Sequence, residues 1–188
     1  MPLFDHFDLI APLYDRVFKI KEPKNLIRYL NLPISGTLLD AGGGTGRVSE
    51  TMRELVSSIV VADLSIEMLR KADDKDGLKT VCSHTEFLPF PDEYFERILM
   101  VDALHHVCNH RETSNELWRV LSRGGRIVIE EPNINEFSVK MVALAEKLAL
   151  MRSSFIPPSR IESLFDYSNA KTRIEIASYN AWIIIDKT

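Results

Sequence analysis

The stretch Asp40-Ala41-Gly42-Gly43-Gly44-Thr45-Gly46 sets one carboxylate ahead of a bend in which four of five residues lack a Cβ. Such a turn can adopt positive φ and let a ligand lie against its backbone, and a helix starting near Arg47 would aim unpaired amides at that ligand. Amides suit an anion and a carboxylate suits a cation, so a ligand carrying both an ammonium and a carboxylate matches the pair. The dinucleotide fingerprint G-x-G-x-x-G fails in both registers. Its last position falls on Arg47 counted from Gly42 and on Ser49 counted from Gly44. A second carboxylate, Asp63, closes the next apolar run about 20 residues on, where an acid can accept both hydroxyls of a ribose. Asp102-Ala103-Leu104-His105-His106 closes another apolar run. Imidazole is poised to take a proton near neutral pH, which makes His105 and His106 candidate bases that the sequence does not separate. Adjacent histidines without further ligands are a poor metal site, and none is expected.

These residues need elements to hold them. Thr37-Leu38-Leu39, Ser58 to Ala62, Leu78 to Cys82, Phe95 to Val101 and Arg126 to Glu130 are short apolar runs of the kind found in strands covered on both faces. Between them lie expected helices over Arg47 to Val56, Ser65 to Ala72 and His110 to Ser122, the last closed by Gly124-Gly125. Upstream, Pro12 suits the first turn of a helix running to Ile20, and Glu22 to Leu32 forms a second amphipathic helix. Either Asp63 or Ser65 can cap the helix that follows the second strand. Asn135 to Arg152 reads as an amphipathic helix and Ser159 to Phe165 as another helix start. The tail alternates at Arg173 to Ile176 and ends in the apolar Ala181 to Ile185. Glu130 and Glu131 are adjacent on a strand, point to opposite faces and cannot form one clamp, so a cap or surface role is expected of them.

Together these features resemble the class I S-adenosylmethionine-dependent methyltransferases of small-molecule type, including the quinone C-methyltransferase group. Phe4-Asp5, Asp8, Ala11-Pro12 and Tyr14-Asp15 resemble the opening of that family, which implies a segment closing over the cofactor with Tyr14 near the transferred methyl. His84-Thr85-Glu86-Phe87-Leu88-Pro89-Phe90 is similar to the family's Asp-Ala-Glu-x-Leu-Pro-Phe run, with His84 in place of the acid that meets the adenine amino group. A neutral imidazole nitrogen can accept the same hydrogen bond. The block from Leu117 to Gly125 resembles the family's fifth-strand region, with Arg123 where proline is usual. Asp102 begins no Pro-Pro-aromatic run of the nucleic-acid amino-methylating enzymes.

The resemblance implies S-adenosylmethionine as cofactor and S-adenosylhomocysteine as product. It assigns cofactor contacts to Asp40, Ala41, Gly42, Gly44, Gly46, Asp63, Leu64, Met68, His84, Thr85, Glu86 and Asp102, and candidate catalytic roles to His105, His106 and Tyr14. The implied fold is α/β, a Rossmann-like three-layer sandwich on a seven-stranded, mostly parallel sheet of order 3-2-1-4-5-7-6 with strand 7 antiparallel. One domain over 1–188 is expected, with 1–33 as a helical lid and 135–165 as helices capping the acceptor side, where an apolar small molecule would fit. Methyl transfer by in-line displacement asks mainly for positioning, so no dedicated base is obligatory.

The whole chain agrees with that picture. Its 188 residues suit one domain, and a net charge of −4 gives no basic footprint for nucleic acid. Two cysteines make no disulfide framework, the acidic start is no signal peptide and no apolar stretch is long enough to span a bilayer, so a cytoplasmic protein is expected. Two rivals stay open: a non-catalytic S-adenosylmethionine-binding sensor or partner subunit, and, less favoured by spacing, a nicotinamide dehydrogenase. The acceptor, the atom methylated and the oligomeric state are not legible.

Overall fold

The computed structural model describes residues 23–136, 139–141 and 153–188. Seven strands form one sheet: β1 (Thr37–Ala41), β2 (Ser58–Asp63), β3 (Leu78–Cys82), β4 (Phe95–Val101), β5 (Leu121–Pro132), β6 (Ala170–Ala177) and β7 (Asn180–Lys187). Their order is β3-β2-β1-β4-β5-β7-β6. The first five pair in parallel, and β7 runs antiparallel to both β5 and β6. This is the expected topology.

Alternation along the strands sorts the apolar side chains into two layers. Leu39, Ile98, Ile127, Ile183 and Ile185 enter one core, with Leu117 and Val120 of helix α3 (His110–Val120) and with Leu164 and Phe165. Leu38, Leu99, Val128 and Ile184 enter the other, against Leu26 and Leu30 of α1 (Lys24–Leu30) and Leu69 and Ala72 of α2 (Ile66–Asp73). A helix α4 (Pro158–Glu162) and a 3-10 turn (Ser163–Phe165) complete the first layer. Among the described residues no helix is long and apolar enough to cross a membrane.

Helix α1 is fixed at the amino-terminal ends of the parallel strands. Arg97 Nε donates to the Leu30 carbonyl at 2.6 Å, and an Arg126 guanidinium nitrogen reaches the Tyr29 carbonyl at 2.9 Å. Arg126 also grips both carboxylate oxygens of Asp186, at 2.6 and 3.1 Å, tying β5 to β7. All of this lies at the end of the sheet opposite to the glycine turn.

Several elements differ from expectation in type or bounds, two of them next to the site. The helix expected over Arg47 to Val56 is a 3-10 helix, Ser49–Leu55. The Ser49 hydroxyl is drawn to Asp40 and the Thr51 hydroxyl donates to the Val48 carbonyl at 2.6 Å, so polar side chains take over the turn. Helix α3 stops at Val120, earlier than Ser122, because Leu121 already pairs with Phe95. The register then shifts before Arg126 pairs with Arg97, and Gly124, at φ 75°, lies in that irregular stretch.

Candidate active site

Asp40 lies one residue before the end of β1 and is 2% exposed. Its carboxylate accepts the Ser49 hydroxyl, and Gly43 crosses it so closely that a Cβ there would lie 2.5 Å from Cγ. Burial pushes its pKa up from 3.8 to about 6; the Ser49 hydrogen bond and Arg47 pull it back, and Asp63 adds to the rise. The group is thus ionised at neutral pH at a cost in free energy that a nearby cation would relieve.

The turn behind it is bound to β2. The amides of Gly42 and Gly43 donate to the Ala62 carbonyl at 2.7 and 3.3 Å. Gly42 has φ 72°, and a Cβ on it would meet that of Ala103 at 2.7 Å, so the bend passes directly beneath the segment after β4. Asp63 joins the turn to the next helix. One oxygen accepts from the Gly44 amide and the other from the Ser65 amide, both at 2.8 Å. These two amide contacts orient the carboxylate. The helix cap is Ser65, whose hydroxyl accepts from Met68 N at 3.2 Å. Leu64 is half exposed beside it and Met68 is buried.

Beyond β3, the His84 side chain is half exposed, with Nδ1 3.9 Å from a Glu86 oxygen. Thr85 is buried, its hydroxyl 3.2 Å from that of Thr113. Glu86 is buried too, and its Oε1 accepts from the amides of Cys108 and Asn109 at 2.9 and 3.1 Å. Its carboxylate therefore fastens the loop after β3 to the segment carrying the histidines.

That segment begins at Asp102, with φ 51°, a conformation that aspartate tolerates better than most residues. Asp102 keeps an exposed surface, yet protein crowding around its carboxyl raises its pKa, and Glu131 raises it further. Leu104–His106 is a 3-10 turn. His105 is 6% exposed, and its Nδ1 lies 2.5 Å from Glu131 Oε2. The other Glu131 oxygen accepts from the Leu104 amide at 2.7 Å. His106 packs on His105 with ring centroids 4.0 Å apart, and burial, then the His105 charge, lower its pKa to about 4.

The structure thus brings Asp40, the glycines and Asp63 together at the carboxyl ends of β1 and β2, and Asp102, His105 and His106 at the end of β4. Open α/β sheets bind ligands along this edge. Tyr14 lies outside the described residues, as does most of 135–152.

A family model described as a methyltransferase domain matches residues 39–129, the span from the glycine turn through most of β5. The ubiquinone/menaquinone biosynthesis C-methyltransferase of a Marinomonas species is 33% identical over 134 residues, which cover 66% of this chain and 52% of the relative. The demethylmenaquinone methyltransferase of Clavibacter sepedonicus is 29% identical over 187 residues, covering 94% of this chain and 74% of the relative. Among solved structures, a SAM-dependent methyltransferase from Thermotoga maritima superposes with a TM-score of 0.78 at 18% identity, covering 97% of this chain and 98% of that one. This chain has the class I S-adenosylmethionine-dependent methyltransferase fold, related at family level to the quinone C-methyltransferases. It spans about half the length of the first curated relatives that it matches, 53% and 41%.

Within this methyltransferase fold, Glu131 is what sequence reasoning missed. A cap or surface role was expected of the two glutamates, yet Glu131 is 4% exposed and holds His105. Glu130 does point to the opposite face, where it accepts from Asn180 Nδ2 and Trp182 Nε1, each at 2.7 Å. The available signal was position: Glu131 is at the carboxyl end of a parallel strand, the same criterion that singled out Asp63 and Asp102.

Proposed function

We propose that this chain is an S-adenosylmethionine-dependent methyltransferase acting on a small-molecule acceptor, and that it works mainly by holding acceptor and methyl in line. The observation that carries the reading is the pairing of two carboxylates around one glycine-rich turn: Asp63 fixed by the Gly44 and Ser65 amides, Asp40 buried beneath Gly43. Asp63 would take the ribose hydroxyls, and Asp40 would favour the ammonium of the methionine end through the turn. Leu64, Met68, His84 and the Thr85 backbone would border the adenine. When bound, the cofactor supplies a methyl on a cationic sulfur, already activated toward a nucleophile. The protein then gains most from orientation, worth up to about 7–11 kcal/mol in the best intramolecular cases.

For the acceptor we propose an apolar ring of the kind named for the relatives, in its reduced form. A quinol ring is electron-rich and attacks an electrophilic methyl, whereas a quinone ring does not. The segment 135–165 and Tyr14 would cover it. The test is calorimetric titration with S-adenosylhomocysteine and with NAD, followed by turnover of reduced demethylmenaquinone. Micromolar binding of the first ligand alone is expected. Equal binding of NAD, or none of either, would defeat the reading, and binding without turnover of any acceptor in a metabolite pool would favour the sensor alternative. Asp63→Ala should weaken S-adenosylhomocysteine at least tenfold in a protein that stays folded.

A further inference from the structure

We propose that His105 is the proton acceptor of this methyl-transfer site and that Glu131 is its positioning residue, keeping the proton on Nδ1 so that the basic lone pair sits on Nε2. The proposal rests on the methyltransferase reading above and names a residue of the same site. A carboxylate has no proton to give, so in the 2.5 Å contact with Glu131 it is Nδ1 that donates. The tautomer of the neutral ring is thereby fixed.

Three further contacts hold the pair in place. Glu131 cannot swing, because its second oxygen accepts the Leu104 amide at 2.7 Å. The imidazole cannot tilt freely, because Phe155 stacks on it with centroids 4.2 Å apart at 14°. The His105 carbonyl accepts from the Ser154 amide at 2.7 Å, anchoring the backbone beneath. Burying a histidine beside a glutamate is a poor way to gain stability, since desolvation offsets the attraction. A fully oriented imidazole at the ligand-binding edge of the sheet is instead what proton transfer requires. His106 is the weaker candidate: burial and the neighbouring ring keep it neutral down to about pH 4, so it binds protons poorly.

The acceptor's O–H, N–H or C–H bond breaks, its proton goes to Nε2, and its electron pair forms the bond to the methyl carbon. The pair of the broken S–C bond stays on sulfur. The resulting imidazolium lies against the Glu131 carboxylate until Nε2 returns the proton to water.

Histidine labelled with 15N, in the protein bound to S-adenosylhomocysteine, reports the tautomer through long-range proton–nitrogen correlations and needs no acceptor. The expected result is the Nδ1–H form for the neutral His105 ring and its loss to a mixture in Glu131→Gln, which retains an oxygen for the Leu104 amide. An Nε2–H form in the parent, or the same tautomer in the variant, overturns the proposal. In turnover of reduced demethylmenaquinone, His105→Gln and Glu131→Gln should lower kcat by about 10²–10⁴-fold. S-adenosylhomocysteine affinity should stay within threefold, and Glu131→Asp should recover part of the loss. The acid limb of the Glu131→Gln profile should move to lower pH, read against the neighbouring Asp102 and His106, which interact electrostatically with His105. Unchanged kcat and profile in both variants sink the proton-acceptor role and leave the methyltransferase reading standing. Failure of the parent to bind S-adenosylhomocysteine sinks that reading instead.

Discussion

Asp40 is a buried carboxyl whose pKa burial pushes up to about 6. Its folded-state pKa of about 6 lies above the ordinary value of 3.8, so the folded chain holds the proton more tightly than the unfolded one. The stabilising contribution is fully present below about pH 4 and is lost as pH rises through about 6. At neutral pH the buried, ionised group costs on the order of 2–3 kcal/mol. Between pH 4 and pH 8 the stability difference between parent and Asp40→Asn should therefore move in the variant's favour by about 2 kcal/mol, read by urea unfolding at each pH. A difference that stays flat would show that the carboxyl is not strained. The same linkage predicts that a ligand ammonium near Asp40 expels a fraction of a proton on binding at pH 6. Calorimetry in buffers of unlike ionisation enthalpy measures that release.

At the scale of elements, Glu86 matters more for architecture than its place in a sequence motif suggests. Its buried carboxylate accepts two backbone amides, those of Cys108 and Asn109, which lie 22 and 23 residues away. Cys108 and Asn109 are exposed, so in Glu86→Ala water can reach both amides and the loss should be about 0.5–1.5 kcal/mol for each hydrogen bond. A fall in the urea midpoint together with faster amide exchange across 104–109 is expected, and exchange unchanged there would refute the fastening role. Such contacts explain what the sequence could not show. The strands were legible because runs such as Leu38-Leu39 and Ile127-Val128-Ile129 are apolar on both faces, and the glycine turn and Asp63 were legible from spacing. Glu86 and Glu131 find partners more than twenty residues away, a distance that no local period encodes. The 3-10 helix after the turn was hidden for a similar reason: Ser49 answers to Asp40 on another element. Ser65 as the cap of α2, by contrast, is a local matter and was open to reading.

At the scale of the molecule, seven strands hold two apolar layers, and the candidate site lies along one edge, away from the Arg97 and Arg126 anchors at the other. A ligand bound only by the folded chain must stabilise all of it by mass action. S-adenosylhomocysteine at a hundred times its dissociation constant should contribute about 2.7 kcal/mol. For a chain of this length that raises the melting temperature by about 5–10 °C, which scanning calorimetry will detect. NAD at the same concentration should leave it unmoved.

The chain's two tryptophans belong to different layers. Trp182 is buried in the layer of Leu38 and Val128, with its indole N–H on Glu130, whereas Trp118 stacks on Tyr167 beside the layer of Leu39 and Ile127. The molecule therefore carries an optical label on each side of its sheet. Replacing either one with phenylalanine leaves a single emitter, and comparing the two emission curves during denaturation would reveal whether both sides come apart in one event or in succession.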